Sequence, residues 1–228
     1  MNRTITACLA LALLTGCSSG GDKAPTASAA KAAANAINLK AGDLPTGFTG
    51  KPASKDSGTK AQQQELLTCL GASGSDVSIV DIASDDFVKG QLPAQQTISS
   101  SVSVVPDLAR AKADLASLRS SKAAGCIKTT FDKVLTEQAA ANKVTIAPLQ
   151  VKDLPVTATG SDGAVGFAMT TTIAVAGLSI PVEVDLLAFV TKRTEVLMTA
   201  VGIAQLVPAS DRDFAFAEMV KRAAKSAV

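Results

Sequence analysis

The chain contains no histidine, no tryptophan and no tyrosine among its 228 residues. Without histidine, Ser-His and Cys-His nucleophilic pairs and His-ligated zinc or iron sites are excluded. Phenylalanine alone supplies aromatic rings, so stacking platforms for bases and aromatic rims for sugars are poorly provided for. The formal net charge of +2 is too small to favour a nucleic-acid partner. We therefore expect a protein that is not an enzyme, with no cofactor, no bound metal and no nucleic-acid partner.

The first residues have the layout of an export signal. Arg3 gives a small positive region, residues 5–14 form an apolar stretch, and small residues follow at Thr15 and Gly16. The tetrapeptide Leu14-Thr15-Gly16-Cys17 resembles the lipobox of bacterial lipoprotein precursors. The apolar stretch is too short to span a bilayer, which takes about twenty residues. The alternative is an ordinary secretory signal that happens to end in Gly-Cys.

The lipobox resemblance divides the chain into three parts. Residues 1–16 would be a signal peptide, and Cys17 would carry diacylglycerol and fatty acyl chains such as palmitate. Residues 17–36 are rich in Ser, Gly, Ala and Lys, which predicts a flexible tether after the lipidated cysteine. Residues 37–228 fit a single globular domain. We expect this domain at the extracytoplasmic face of the cell membrane, held there by the lipid on Cys17.

Cysteine usage agrees with export. Of the four cysteines, Cys8 lies in the signal and Cys17 is the lipid acceptor, which leaves Cys69 and Cys126. A remaining pair in an oxidising compartment predicts a disulfide bond. The alternative is a redox-active pair, which would favour a CxxC spacing and a basic environment.

The pattern of apolar residues predicts an α+β fold. Residues 65–70 are typical of the end of a helix with Cys69 on its buried side, and residues 77–83 and 98–105 indicate strands. Helices are predicted over 108–118, over 126–138 and from Ser210 onward. The strongest signal is three alternating runs, which predict an antiparallel C-terminal meander. We expect one antiparallel sheet with helices packed on one face, and these runs cover residues 165–175, 180–190 and 196–200.

Acidic residues are the remaining candidates for chemistry. Glu183 and Asp185 are two apart in a predicted strand, so they point to the same face and could form a paired acid and base. The favoured interpretation is a solvent-exposed polar face. Asp81, Asp85 and Asp86 could hold a hard cation, but they lack the spacing and turn glycine of a calcium loop. A loop boundary is therefore favoured there.

Two short motifs are interpreted as chance matches. Residues 57–60 read Ser-Gly-Thr-Lys and fit the Ser-x-x-Lys pattern of penicillin-recognising enzymes, but the accompanying Ser-Asp-Asn and Lys-Thr-Gly motifs are absent. Residues 71–75 approach a nucleophile elbow, but the fifth residue is not glycine and the chain has no histidine.

The whole arrangement resembles a known family. The lipobox, the polar tether, the sequence Asp-Leu-Pro-Thr-Gly-Phe at 43–48, the two cysteines and the strand-to-helix passage at 99–114 are similar to small cell-envelope lipoproteins of actinobacteria. Among these, the chain is most similar to the extracellular sensor-domain type found on the mycobacterial kinase PknH, and more loosely to PsbP-like domains. The resemblance implies a sheet with helices framing a groove for a ligand, and no catalytic residues.

Three functions are consistent with these observations. The leading hypothesis is a non-enzymatic, membrane-tethered binding module whose ligand is a cell-wall fragment, a lipid or another envelope protein. The second is a carrier of lipid or another hydrophobic ligand, because the sheet is rich in Val, Ile and Met and poor in bulky aromatics. The third is a hydrolase that uses carboxylates, centred on Glu183 and Asp185.

Overall fold

The computed structural model describes residues 23–53, 58–71 and 78–228. Within them the chain forms helices and strands in the order α, β, α, then three strands, two helices, five strands and a last helix. The helices are α1 Ala27–Ile37, α2 Gly58–Leu70, α3 Leu108–Leu118, α4 Ala123–Asn142 and α5 Ala209–Ser226. The strands are β1 Thr49–Lys51, β2 Val80–Ala83, β3 Asp86–Gln91, β4 Ala94–Val104, β5 Thr145–Ile146, β6 Gln150–Asp153, β7 Gly163–Val175, β8 Leu178–Thr191 and β9 Thr194–Ile203.

The strands form one antiparallel sheet in the order β1-β3-β4-β9-β8-β7-β5. Strand β2 pairs with the C-terminal half of β4, residues 101–104, and β6 pairs with β7 next to β5. The predicted meander is confirmed as β7-β8-β9, whose long strands are joined by tight turns. In the first of these turns, Ala176 and Gly177 both adopt positive φ angles, as expected in a two-residue hairpin loop. The α+β fold class is therefore confirmed.

One face of the sheet is covered by α1 and α5. Strands β4, β8 and β9 direct alternate side chains toward these helices, and Phe189 meets Phe216 of α5 edge to face with ring centroids 5.4 Å apart. Helix α1 packs its small side chains into the same core, together with Ile37. The fully buried members of this core include Ala30, Ala34, Ile37, Ile98, Val102, Leu187, Phe189, Met198 and Met219.

The opposite face of the sheet is covered in part by α2, α3 and α4. Ile127 of α4 packs on Phe167 and Met169 of β7, and Leu66 of α2 joins this second core. Helix α3 packs Ala111 and Leu115 against Val105 and Val190 in a third cluster. Successive residues of a strand point to opposite faces, so Phe167 and the Ala168 that follows it face different layers. The sequence predicted helices on one face, whereas the structure has them on both.

Helix α1 occupies the second half of the segment that was predicted to be a flexible tether. The composition of residues 17–36 predicted a flexible segment, but residues from Ala27 onward form α1, which begins at a Thr26 cap. Alanine at Ala30 and Ala34 lets this helix lie close to the core, so residues that read as low complexity are buried packing residues. Arg222 of α5 donates to the carbonyl oxygens at the end of α1 and so fixes its position.

The predicted disulfide between Cys69 and Cys126 is confirmed, with Cα atoms 5.6 Å apart. It joins α2 to α4. The expectation that Cys69 lies on the buried side of its helix is wrong, because Cys69 is exposed while Cys126 is buried. Cys126 is the buried member of the pair, and Cys69 bonds to it from the exposed side of α2.

The predicted helices correspond to α3, α4 and α5, although α4 begins three residues before Cys126 and extends beyond residue 138. Asp107 caps α3 by accepting a hydrogen bond from the Arg110 amide at 2.7 Å. Helix α5 begins one residue before the predicted Ser210, directly after Pro208, and no side chain caps it. Among the described residues, no helix is both long enough and apolar enough to cross a membrane.

Candidate binding surface

Half of one sheet face remains open to solvent. On the side that carries α2, α3 and α4, strand β8 packs its side chains against the second core, but the next two strands, β9 and β4, keep their side chains partly exposed. Leu197, at the middle of β9, is 40% exposed. We call this surface the open face; its side chains are Thr97, Ser99, Ser101 and Ser103 of β4 and Leu197, Thr199 and Val201 of β9.

The open face combines hydroxyl groups and apolar groups without charge. Four successive outward positions of β4 carry Ser or Thr. Thr97, Ser99 and Ser101 pair across the sheet with Val201, Thr199 and Leu197 of β9, and Ser103 pairs with Glu195. Residues 90–106 and 196–210 contain no charged side chain at all. Such a surface can accept hydrogen bonds from, or donate them to, hydroxyl groups of a ligand while Leu197 contacts its apolar parts.

A cluster of charged residues stands at one end of the open face. Glu195 of β9 lies beside Ser103 in the sheet, and α3 brings Asp114 and Arg110 over it. The Arg110 Nε and Asp114 Oδ2 atoms are 2.5 Å apart, with both side chains largely buried. The carboxyl group of Asp114 is close enough to Glu195 to raise its pKa. We call these three residues the carboxyl cluster.

Burial raises the pKa of Glu195, the neighbouring Asp114 carboxyl group raises it as well and Arg110 opposes both effects, which together leave the pKa at about 8. The Oε1 atom of Glu195 is buried and has no hydrogen-bond partner in the described part of the chain. Glu195 is therefore protonated at neutral pH. A protonated acid with a raised pKa is a property that active sites also use, although structural ion-pair networks produce it as well.

The prediction that Glu183 and Asp185 form an exposed polar face is wrong for Asp185. Both point to the face covered by α5, where Asp185 is 2% exposed and pairs with Arg212 Nη1 at 2.5 Å. Burial raises the pKa of Glu183, and the charge of Asp185 adds to this effect. Arg212 lies 27 residues away on another element, so no local pattern in the strand could show that Asp185 has a buried partner.

The other candidates from the sequence stay apart or lie outside the described residues. Asp81 is on exposed β2, where its carboxylate accepts a hydrogen bond from Ser103 at 3.1 Å. Asp86 belongs to β3 and faces Lys51 of β1 in the register. Within the described ranges, no three Cys, Asp or Glu side chains are grouped in a way that could hold a metal ion. Cys17, Ser57 and residues 72–75 are outside the described residues.

The described residues also form two hollows on the surface of the protein. The larger, of about 490 Å³, lies between the second half of α4 and the segment leading to β5. The smaller, of about 250 Å³, lies at the turn between α3 and α4, beside Arg119 and Asp153. The larger hollow is lined mainly by apolar and small residues: Leu135, Ala139, Val144, Ile146, Ala147 and Pro148, with Asp132, Thr136 and Thr145.

Sequence reasoning found the strand-to-helix passage at 99–114 but did not single out the open face or the carboxyl cluster. The alternation of Ser and apolar residues in β4 was visible and predicted a half-buried strand. Glu195 gave no signal, because a lone acid next to a turn is typical of an exposed position. Its raised pKa depends in part on Asp114, which lies 81 positions earlier in the chain on α3.

Comparison with known proteins gives weak structural similarities. No protein-family profile matches the chain, and no curated protein matches its sequence. LpqN of Mycobacterium tuberculosis, involved in cell envelope biogenesis, has 11% identity and a TM-score of 0.31, with 79% of this chain and 78% of that chain covered. The extracellular domain of PknH from the same organism has 13% identity and a TM-score of 0.34, with 76% and 98% covered. Similarity at this level assigns neither a family nor a function.

Proposed function

We propose that the protein is an extracytoplasmic lipoprotein, anchored through Cys17, whose domain is a non-enzymatic binding module. The single observation that carries the binding role is the open face, a partly exposed row of hydroxyl and apolar side chains on β4 and β9. The lipobox at residues 14–17 carries the anchoring. The carboxylates that the sequence offered for catalysis are separated from this surface, because Asp185 lies on the opposite face.

The composition of the open face favours an uncharged ligand with both hydroxyl and apolar parts. Hydroxyl groups on β4 both donate and accept hydrogen bonds, which suits the hydroxyl groups of a glycan. Leu197 and Val201 on the adjacent strand suit the apolar part of a glycolipid or of a sugar ring. The side chains that define the open face carry no cationic group, which argues against recognition of phosphate or carboxylate groups by this surface. We propose an envelope glycan or glycolipid as the ligand class.

The anchor would keep the domain close to the membrane. Thr26, which caps the first helix, follows Cys17 by nine residues. A chain of this length spans at most about 30 Å even when fully extended. The two or three acyl chains of a lipoprotein hold such an anchor stably, whereas a single chain binds only marginally. A ligand that is itself embedded in the membrane or attached to the nearby wall is therefore within reach.

Anchoring is tested by the mass of the protein purified from its own membranes. We expect a denatured mass that matches a chain beginning at Cys17 with added acyl chains. Replacing Cys17 with Ala should abolish both cleavage and acylation, and the Cys8→Ala variant is the matched control because that residue lies in the same signal. Cleavage without acylation would contradict the lipid anchor and leave an ordinary secretory signal.

Binding is tested by native mass spectrometry of the same preparation, followed by titration with any glycan or glycolipid that copurifies. Leu197→Asp introduces a charge at the centre of the open face and should weaken binding at least about tenfold, or about 1.4 kcal/mol. Leu178→Asp is the matched control, because Leu178 is 64% exposed at the tip of the β7-β8 hairpin. Equal weakening by both variants, or unchanged binding in Leu197→Asp, would contradict the open face as the binding surface.

The larger hollow favours a second candidate function, that of a carrier for a hydrophobic ligand. Its volume of about 490 Å³ and its apolar lining fit part of an acyl chain. Leu135 lies in its wall, so Leu135→Asp should release an acyl ligand that Leu197→Asp leaves bound. Retention of the acyl ligand by Leu135→Asp would exclude the hollow as its site.

A further inference from the structure

The smaller hollow lies where the turn between α3 and α4 meets strands β6 and β7. Asp153 of β6 pairs with Phe167 of β7 in the register, so both side chains point to the face that carries these two helices. Leu118 at the end of α3 and Ala124 in the first turn of α4 line the hollow from the helix side. Its volume of about 250 Å³ is below the roughly 300–1,000 Å³ of pockets for drug-sized ligands, so it fits a small molecule.

Arg119 lines the hollow and has donors that the protein does not use. Its Nε and Nη2 atoms both donate to the Ala164 carbonyl oxygen of β7, at 3.3 and 3.0 Å. Of the five guanidinium N–H groups, this leaves one on Nη2 and two on Nη1 without a partner among the described residues. One N–H on each of these nitrogens points in the same direction, and such a parallel pair suits the two oxygens of a carboxylate.

The position of this guanidinium group depends on Gly163. A Cβ atom at position 163 would lie 2.5 Å from Arg119 Nη2 and 2.9 Å from Nη1. Any other residue type there would therefore push the group away from the Ala164 carbonyl oxygen. Because the backbone of β7 already holds the donors in place, a ligand that binds them has a smaller ordering cost.

Ser120 and Asp153 add a hydroxyl group and a carboxylate to the same hollow. The backbone of Ser120 is satisfied in the turn, because its amide donates to the Ser117 carbonyl oxygen and its carbonyl oxygen accepts from the Ala123 amide. Its Oγ atom, in contrast, is buried and has no partner in the described part of the chain. Asp153 is exposed, and it forms no ion pair with Arg119 or with another described residue. Both groups are therefore available to a ligand.

We propose that the smaller hollow binds a small zwitterion of the amino-acid class, with its carboxylate on Arg119 and its ammonium group on Asp153. The two charges of the hollow have opposite signs, so an anion alone would be repelled by Asp153 and a cation alone by Arg119. An amino acid carries both charges and has no net charge. The Ser120 hydroxyl can donate to its carboxylate, while Leu118 and Val165 contact its apolar part.

This site is separate from the open face, because β8 lies between β7 and β9 in the sheet. The inference therefore goes beyond the proposed function and does not depend on it. The Leu197→Asp variant should bind an amino acid as the wild type does, so failure of the open face and failure of the smaller hollow are distinguishable.

Titration of the protein purified from its membranes with L-alanine tests the site, with binding followed by the line widths of the ligand's own NMR signals. Acetate and methylamine are the matched probes, because each carries one of the two charges of alanine. We expect alanine to bind at least about tenfold more tightly than either probe, since each probe lacks one charge-assisted contact. Equal binding of acetate, or tighter binding of the neutral sugar glucose than of alanine, would overturn the inference.

Substitutions in the hollow provide the second test. Arg119→Lys keeps the positive charge but loses the parallel pair of donors, and Asp153→Asn keeps the shape but loses the charge. Each should weaken the binding of alanine about tenfold. Because Asp153 is exposed, Asp153→Asn keeps the test valid if Arg119→Lys does not fold.

Lys152→Gln is the matched control for these variants. Lys152 is the neighbour of Asp153 on β6, but its side chain points to the opposite face of the sheet. The substitution should leave the binding of alanine unchanged. Unchanged binding in Asp153→Asn, or an equal loss in Lys152→Gln, would show that the hollow does not hold the ligand.

Discussion

At the scale of single residues, Gly202 shows how a nearby loop can restrict a position to glycine. The loop between β9 and α5 folds back over the end of β9, and a Cβ at position 202 would lie 2.7 Å from the Gln205 carbonyl oxygen. Gln96 of β4 holds the same loop by donating to the Leu206 carbonyl oxygen at 2.5 Å. The glycine is therefore required by close approach of backbone to backbone, in a strand where other residues would have higher β propensity.

Gly202→Ala should therefore destabilise the protein by about 1–3 kcal/mol, because backbone atoms rather than a flexible side chain must move. Gly125→Ala is the matched control: Gly125 lies in α4 with nothing within 4 Å of its would-be Cβ. That variant should be neutral or stabilise by up to about 1 kcal/mol, since alanine favours helix. Thermal unfolding measures both, and equal effects of the two substitutions would show that the loop does not press on Gly202.

At the scale of elements, the sequence predicted those with strong periodicity. The meander of β7, β8 and β9 alternates over more than ten residues in two of its strands, and this pattern depends only on which face is buried. Helix α3 was predicted over 108–118 for the same reason, because its apolar residues recur with helical spacing. Strands β1 and β3 were missed because β1 has three exposed residues and β3 contains Lys89 and Gly90.

Helix α2 is an element held by few contacts of its own. It touches the second core through Leu66 and Leu70, and an exposed ion pair joins Glu65 to Lys133 of α4 at 3.0 Å. Ion pairs of this exposed kind contribute little to stability. The disulfide between Cys69 and Cys126 is therefore the main restraint that keeps α2 on α4.

Cys69→Ser should lower the free energy of unfolding by about 4 kcal/mol at most, because the bond closes a loop of 57 residues in the unfolded chain. Hydrogen exchange should show that α2 loses protection before the sheet does. The double variant Cys69→Ser/Cys126→Ser separates loss of the bond from the effect of a free buried thiol. An unchanged melting temperature in both variants would mean that the core contacts of α2 suffice to hold it.

At the scale of the whole molecule, the sheet separates two cores, and the helices of the first core, α1 and α5, are the first and last of the described helices. Helices α1 and α5 pack together although the sheet lies between them in sequence, and Arg222 of α5 also binds Asp43, with Nη1 2.7 Å from Oδ1. This contact could not be predicted from the sequence, because α1 reads as a low-complexity segment rich in alanine. The buried residues Ala30, Ala34 and Ile37 pack α1 into the same core as α5.

The folded unit should therefore begin before Ala27 and not at Ile37. A chain that starts at Lys23 keeps α1 with its Thr26 cap and should melt at the temperature of the longer protein. A chain that starts at Ile37 loses Ala30 and Ala34 from the core, although it keeps the Ile37 and Asn38 carbonyl oxygens that accept from Arg222. We expect its melting temperature to fall by about 10 °C, since each kcal/mol shifts a domain of this size by about 2–4 °C. Equal melting temperatures of the two chains would mean that α1 adds no stability and that residues 23–36 belong to the tether.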